Sequence, residues 1–198
     1  LRPRLYANVC LHQWLFAFAA LTPWLFRDEP LPALGLGVPD AGWPYAAVGA
    51  LCGGILLVWQ RVQVKQHPQG AAAVRRQLEA VSWVIPRRRV ELFGWALVCL
   101  HAGVCEELFY RGYLLGLARA VMPESAAWVA VSVAFGLGHL YQGGRGVFLT
   151  GVLGGAFLFM AVMSGSLWLP MIAHALFDWH SGTLGRWALY ESPDRKPA

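Results

Sequence analysis

Two adjacent glutamates and an arginine stand in GVCEELFYRGYLLG (103–116), a histidine in FGLGHLYQG (135–143), and a histidine and an aspartate in MIAHALFDWH (171–180). All six side chains, Glu106, Glu107, Arg111, His139, His174 and Asp178, lie in otherwise apolar stretches. Ionisable groups inside hydrocarbon are costly, face a bundle interior or a water-filled cavity, and mark functional sites. Carboxylates and histidines are also the groups that move protons at neutral pH, so the chemistry they suggest is general acid–base catalysis.

On a helix, Glu107 and Arg111 are four residues apart and share a face, so Arg111 neutralises Glu107. Glu106 is turned about 100° from Glu107 and points towards Tyr110 and Tyr113. It has no charge partner within its own helix. Two arrangements satisfy this spacing. In one, both glutamates belong to a structural ion-pair network. In the other, Glu107 and Arg111 brace the helix while Glu106 faces a cavity and acts as a general base. His174 and Asp178 are again four apart and share a face.

The elements that must position these residues are membrane helices. The chain has 198 residues, 57% of them hydrophobic and only 14% charged, where a soluble domain carries about a quarter charged residues. Windows of about 20 apolar residues mark bilayer spans. Six are found, at roughly 5–26, 43–59, 91–121, 126–141, 147–163 and 167–189. The expected fold is an all-α, polytopic transmembrane helical bundle forming one integral membrane domain over 1–198. The third segment is too long for one straight crossing. The polar segment 60–86 contains Pro68 and Gly70, and its 71–85 portion is either an amphipathic surface helix or a solvated loop. The first segment follows Arg2 and Arg4 and reads as a retained transmembrane helix, since no small-residue cleavage site follows it.

Charge sets the orientation. Seven Lys/Arg residues and one acid, Glu79, lie between Arg61 and Arg89. The loop from Arg27 to Asp40 is acidic. Arg145 follows the fourth span, and Arg195 and Lys196 end the sequence. The positive-inside rule then places both termini in the cytoplasm. The basic cluster has membrane-like flanks and suits lipid headgroups rather than nucleic acid. Cys10, Cys52, Cys99 and Cys105 sit in apolar segments without a C-x-x-C pair, so neither a disulfide framework nor a thiolate metal site is expected. Gly49/Gly53, Gly112/Gly116 and Gly151/Gly155 recur at four-residue spacing, which suits close helix packing. Phe135 is expected to pack. His12, His67, His101 and His180 have no assigned role, and no internal repeat suggests a transporter.

EELFYR (106–111), FGLGH (135–139) and HALFD (174–178) resemble, in that order, the E-E-x-x-x-R, F-x-x-x-H and H-x-x-x-[N/D] motifs of the CAAX-protease and bacteriocin-processing (Abi) family of intramembrane endopeptidases. The resemblance covers about 90–190, the expected protease core. It implies that Glu106 activates a water, that His139 holds it, and that His174 and the residue four on stabilise the oxyanion. Asp178 stands where the prenyl-protein endopeptidases of the family usually carry Asn. An ionised aspartate would repel an oxyanion, so Asp178 is either protonated, a partner that orients His174, or a metal ligand. The expectation is no cofactor. Zinc held by Glu106, His139, His174 and Asp178 is the alternative, because the family was long described as metalloproteases. The implied substrate is a membrane-anchored or lipidated protein or peptide, cut near its C-terminus, at a leader or at a sorting tail. The implied location is a bacterial inner membrane. Two further alternatives are a sorting-type cysteine transpeptidase using Cys105 with His139 and Arg111, and a non-catalytic immunity or scaffold protein.

Overall fold

The computed structural model describes residues 2–26, 34–67 and 69–193. Of the residues that entered the charge and breaker pattern, Arg27, Asp28, Glu29, Pro68, Arg195 and Lys196 lie outside them. Within them the chain is all-α, as expected from its composition. The helices are α1 (Arg2–Leu25), α2 (Trp43–Gln66), α3 (Gly70–Leu78), α4 (Leu92–Glu107), α5 (Leu115–Val121), α6 (Glu124–Leu137), α7 (Gly143–Ser164) and α8 (Trp168–Tyr190). Between α4 and α5 the column continues as a π-helix, Leu108–Leu114, so the third apolar segment is one continuous rod. Trp43–Gln66, Arg89–Val121 and Leu140–Ser164 are long and apolar enough to cross a membrane. The exposed large hydrophobics, such as Phe16, Leu56, Phe93 and Phe148, form an outer surface suited to lipid.

Helix α6 has 14 residues and so is about 21 Å long, short of the ~30 Å hydrocarbon core. It begins after Pro123 and stops at Gly138. That early stop places the following residue, His139, at the inner end of a short helix rather than at a distant loop. A 3-10 turn, Leu140–Gln142, follows, and Gly143 reverses the chain into α7 with φ +77°, a conformation that favours glycine.

Helix α4 packs between α1 and α8. The approach to α8 is set by Gly103, because a Cβ there would lie 2.5 Å from the Met171 carbonyl oxygen. Likewise α6 and α7 cross at Gly136, whose Cβ would lie 2.6 Å from the Val147 carbonyl oxygen and 3.2 Å from Gly151. Gly151 and Gly155 thus serve the expected packing. Gly49, Gly53 and Gly116 do not, since a Cβ at any of them meets nothing within 4 Å among the described residues. Glycine spacing alone does not tell a crossing face from a lipid face.

The 71–85 segment splits into α3 and a 3-10 turn, Glu79–Val81. The apolar side of α3, Ala71 and Val74, packs on Leu184 and Ala188 of α8 rather than lying free on a membrane. Arg2 pairs with Glu91 at 3.9 Å and Arg89 with Glu191 at 3.9 Å. These pairs gather the start of α1, the start of α4 and the end of α8 at one end of the bundle, beside the basic segment.

Candidate active site

The last turn of α4 carries Glu106 and Glu107, the π-helix carries Arg111, the turn after α6 carries His139, and α8 carries His174 and Asp178. The glycine-mediated contact of α4 and α8 brings Glu107 against His174. The π-helix falls between the glutamates and α5, and such segments recur at functional sites.

The two glutamates do different things. Glu107 is fully buried. Its Oε1 accepts a hydrogen bond from Arg111 at 2.8 Å and another from His174 Nδ1 at 2.8 Å. Arg111 is equally buried and donates its second terminal nitrogen to the Gly154 carbonyl at 2.7 Å. Its guanidinium carbon also lies 4.3 Å from the Phe135 ring centre. A buried charge pair survives only with such additional partners. The expected Glu107–Arg111 brace is therefore present, and it extends to His174, which the helix spacing did not show.

Glu106 turns the other way. Its side chain is 24% exposed, and Oε2 is buried with no hydrogen-bond partner among the described residues. That oxygen lies 3.9 Å from His139 Nε2 and 3.9 Å from His174 Nε2. Asp178 Oδ2 lies 3.7 Å from the same His174 nitrogen. His139 Nδ1 lies 2.8 Å from the Phe135 carbonyl oxygen, so the proton sits on Nδ1 and Nε2 is left free towards Glu106. His174 Nδ1 is engaged by Glu107 in the same manner, which also directs its Nε2 to Glu106. A second partner fixing the tautomer is the usual device where a particular imidazole nitrogen must face a site.

Aromatic rings hold the two imidazoles. Phe135 is 1% exposed and lies 4.9 Å from the His139 ring and 5.8 Å from the His174 ring. Phe157 stacks on the opposite side of His174, at 4.9 Å and 18°. Phe135 packs as expected, and its packing orients both histidines and Arg111. Phe157 and Gly154 were missed. Gly154 stood beside the Gly151/Gly155 pair in the sequence, but nothing marked its carbonyl as an arginine acceptor. Phe157 carries no sequence signal.

Glu106, His139, His174 and Asp178 line a cavity of about 760 Å³. Tyr110 also lines it; Tyr113 does not. Cys105 is buried and touches the cavity wall, but Arg111 does not line it and is committed to Glu107 and Gly154. The Cys105–His139–Arg111 set is therefore not assembled. Zinc ligands must converge to about 2.0–2.2 Å from the metal. No group of three or more His, Cys, Asp or Glu side chains among the described residues is placed to hold a metal ion.

Of the histidines without a role, His12 hydrogen-bonds the Asn8 carbonyl at 2.7 Å, His101 stands edge-on to Trp14, and His180 meets Gln60 at 3.1 Å.

The family model of the Rce1-like type II CAAX prenyl endopeptidases matches residues 88–180, a little under half of the chain. The match includes all four cavity residues and the Glu107–Arg111 brace. No curated protein and no solved structure matches the chain.

Proposed function

We propose that this protein, whose residues 88–180 match the family model of the Rce1-like type II CAAX prenyl endopeptidases, hydrolyses a peptide bond within the membrane using a water activated by Glu106. The observation that carries the proposal is the placement of one carboxylate oxygen between two imidazoles. Glu106 Oε2 is buried, unpartnered among the described residues, and 3.9 Å from two imidazole nitrogens. That separation is too long for a direct hydrogen bond and suits one bridging water.

The steps follow from the groups present. The water donates one proton to Glu106, whose basicity drives the attack, while His139 Nε2 accepts its other hydrogen and orients it. The oxygen adds to the substrate carbonyl carbon. The oxyanion so formed faces His174 Nε2, which donates to it when the ring is doubly protonated. Glu107 holds the ring through Nδ1, and Asp178 Oδ2 lies 3.7 Å from Nε2. Of the three roles left open by its position, the proposal takes the orienting one for Asp178, at that distance from the His174 ring nitrogen. As the C–N bond breaks, Glu106 passes its proton to the leaving amine.

The substrate is a membrane-anchored or lipidated protein or peptide, since the cavity lies inside a bundle whose outer surface suits lipid. The end of the bundle that holds the basic segment faces the cytoplasm of a bacterial inner membrane by the positive-inside rule.

The test is cleavage of a lipid-anchored reporter peptide by protein in liposomes. Glu106→Ala and His139→Ala each reduce turnover at least about 10²-fold, and a strong chelator leaves the wild type unchanged. Cleavage that survives Glu106→Ala refutes the glutamate mechanism. Cleavage lost to chelator and restored by zinc replaces it with a metal-dependent one.

A further inference from the structure

Residues 79–86 run as a strap from α3 towards α4 and take no part in the steps above. Val81, Val84 and Ile85 line the same cavity as Glu106. Trp83 stands at its rim, lining the cavity while 52% exposed. The 3-10 turn Glu79–Val81 lies against the 3-10 turn Leu140–Gln142, which follows His139 directly. The strap is therefore part of the wall around the reacting groups.

Its ties among the described residues are light. Ser82 Oγ donates to the Glu79 carbonyl at 2.9 Å and Trp83 Nε1 to the Ala80 carbonyl at 3.0 Å, both within the strap itself. Tyr6 of α1 donates its hydroxyl to the Val84 carbonyl at 3.1 Å. Ile85 and Pro86 are buried, and Ile85 rests near Gly185 of α8, where a Cβ would lie 3.5 Å from Ile85 Cδ1. Short 3-10 turns have poor hydrogen-bond geometry, and a segment with few buried contacts opens at low cost.

The residues that follow suit a charged surface. Arg87, Arg88 and Arg89 are exposed. Arg88 reaches Glu91 at 3.7 Å with its side chain 74% exposed, and Arg89 reaches Glu191 at 3.9 Å with 85% exposed. Pairs so exposed contribute little and leave the guanidinium groups available. Glu91 also accepts the backbone N–H groups of Arg87 at 2.7 Å and Arg88 at 3.2 Å, which fixes the chain beneath them. Val90 and Phe93 are exposed like Trp83. Residues 83–93 thus combine three arginines, one acid and three exposed apolar side chains. Such a stretch complements an anionic phospholipid interface, where guanidinium groups meet phosphates and apolar side chains enter the acyl boundary.

We propose that this patch seats on anionic phospholipid and that the seating holds the strap against the cavity, so that peptide cleavage depends on membrane charge. Arg87 follows Pro86 directly, so headgroups that hold Arg87 keep Ile85 and Pro86 in place. A ligand that binds the seated form stabilises it by mass action. The effect on cleavage rests on the cavity being the peptidase site; the seating does not.

The probe is phosphatidylglycerol, present or absent in phosphatidylcholine nanodiscs that leave both faces of the protein open. Chymotrypsin is added to Glu106→Gln protein, and cutting of the Trp83–Val84 bond is followed by mass spectrometry. The cut is about tenfold slower in the anionic discs, within the about fivefold per arginine that such a surface supplies. The triple variant Arg87→Gln/Arg88→Gln/Arg89→Gln is cut at the neutral-disc rate in both, while the triple change to Lys keeps most of the protection. A bond cut equally in both discs, or cut in neither, overturns the proposal. So does protection that the Gln variant retains. With Glu106 intact, reporter cleavage rises several-fold with phosphatidylglycerol in wild type and not in the Gln variant; an equal rise in both overturns the link from lipid to cavity. Protection of the strap in a protein that cleaves no reporter supports the lipid seat and counts against the peptidase reading alone.

Discussion

Replacing Arg111 with Met removes the guanidinium that pairs with Glu107. Both side chains are fully buried, so solvent cannot screen the loss. Arg111 supplies a 2.8 Å bond to Glu107, a 2.7 Å bond to the Gly154 carbonyl and a cation–π contact with Phe135. Breaking one side of a buried pair costs about 3–5 kcal/mol because a charge is left uncompensated. The double variant Glu107→Leu/Arg111→Met removes both charges, and most of that loss returns. What does not return is the acceptor for His174 Nδ1, whose unmade bond costs about 1–3 kcal/mol. His174 then loses its fixed orientation, and turnover falls about 10²-fold, as expected when a reacting group is misplaced by about 1 Å. Denaturant unfolding in detergent micelles, followed by the fluorescence of the ten tryptophans, reports stability, and reporter cleavage reports turnover. If Arg111→Met unfolds within about 1 kcal/mol of wild type, the buried-pair reasoning is wrong. If the double variant regains turnover together with stability, Glu107 does not orient His174.

Glu106→Gln lowers kcat at least about 10²-fold with an unchanged unfolding midpoint, since Oε2 makes no hydrogen bond among the described residues that the amide would lose; a large drop in stability would instead make Glu106 structural. Gly154→Ala drives a methyl to 2.7 Å from the Phe135 ring and 3.2 Å from the Arg111 guanidinium, and unfolding should show a loss of about 1–3 kcal/mol from overpacking. Cys105→Ser keeps reporter cleavage within a factor of about two, as an apolar-packed cysteine behaves; its loss would restore the cysteine transpeptidase to consideration.

The sequence alone determined the helical class, because long apolar windows leave backbone groups no partner in lipid except within a helix. It also singled out the polar residues that the fold gathers at one cavity, since each ionisable group in those windows is costly and stands out against its neighbours. The difference between Glu106 and Glu107 was legible for the same reason: helical periodicity alone pairs Arg111 with the second glutamate and leaves the first without a partner. Tertiary structure decided what no periodicity encodes. Contacts between segments depend on which faces meet, so the bond from His174 to Glu107, the Gly154 carbonyl under Arg111 and the Phe157 ring on His174 exist only once α4, α7 and α8 have packed. The π-helix after Glu107 was equally illegible, because its residues favour an ordinary helix and only the packed surroundings of Arg111 stabilise the wider turn. The glycines make the same point, since Gly103 and Gly136 sit in crossings and Gly49 and Gly53 do not, although all are glycines in apolar helices. What the folded chain adds is convergence. Three separate helices bring two imidazole nitrogens to 3.9 Å from one carboxylate oxygen, because close approach at Gly103 and the early stop of α6 leave them no other place.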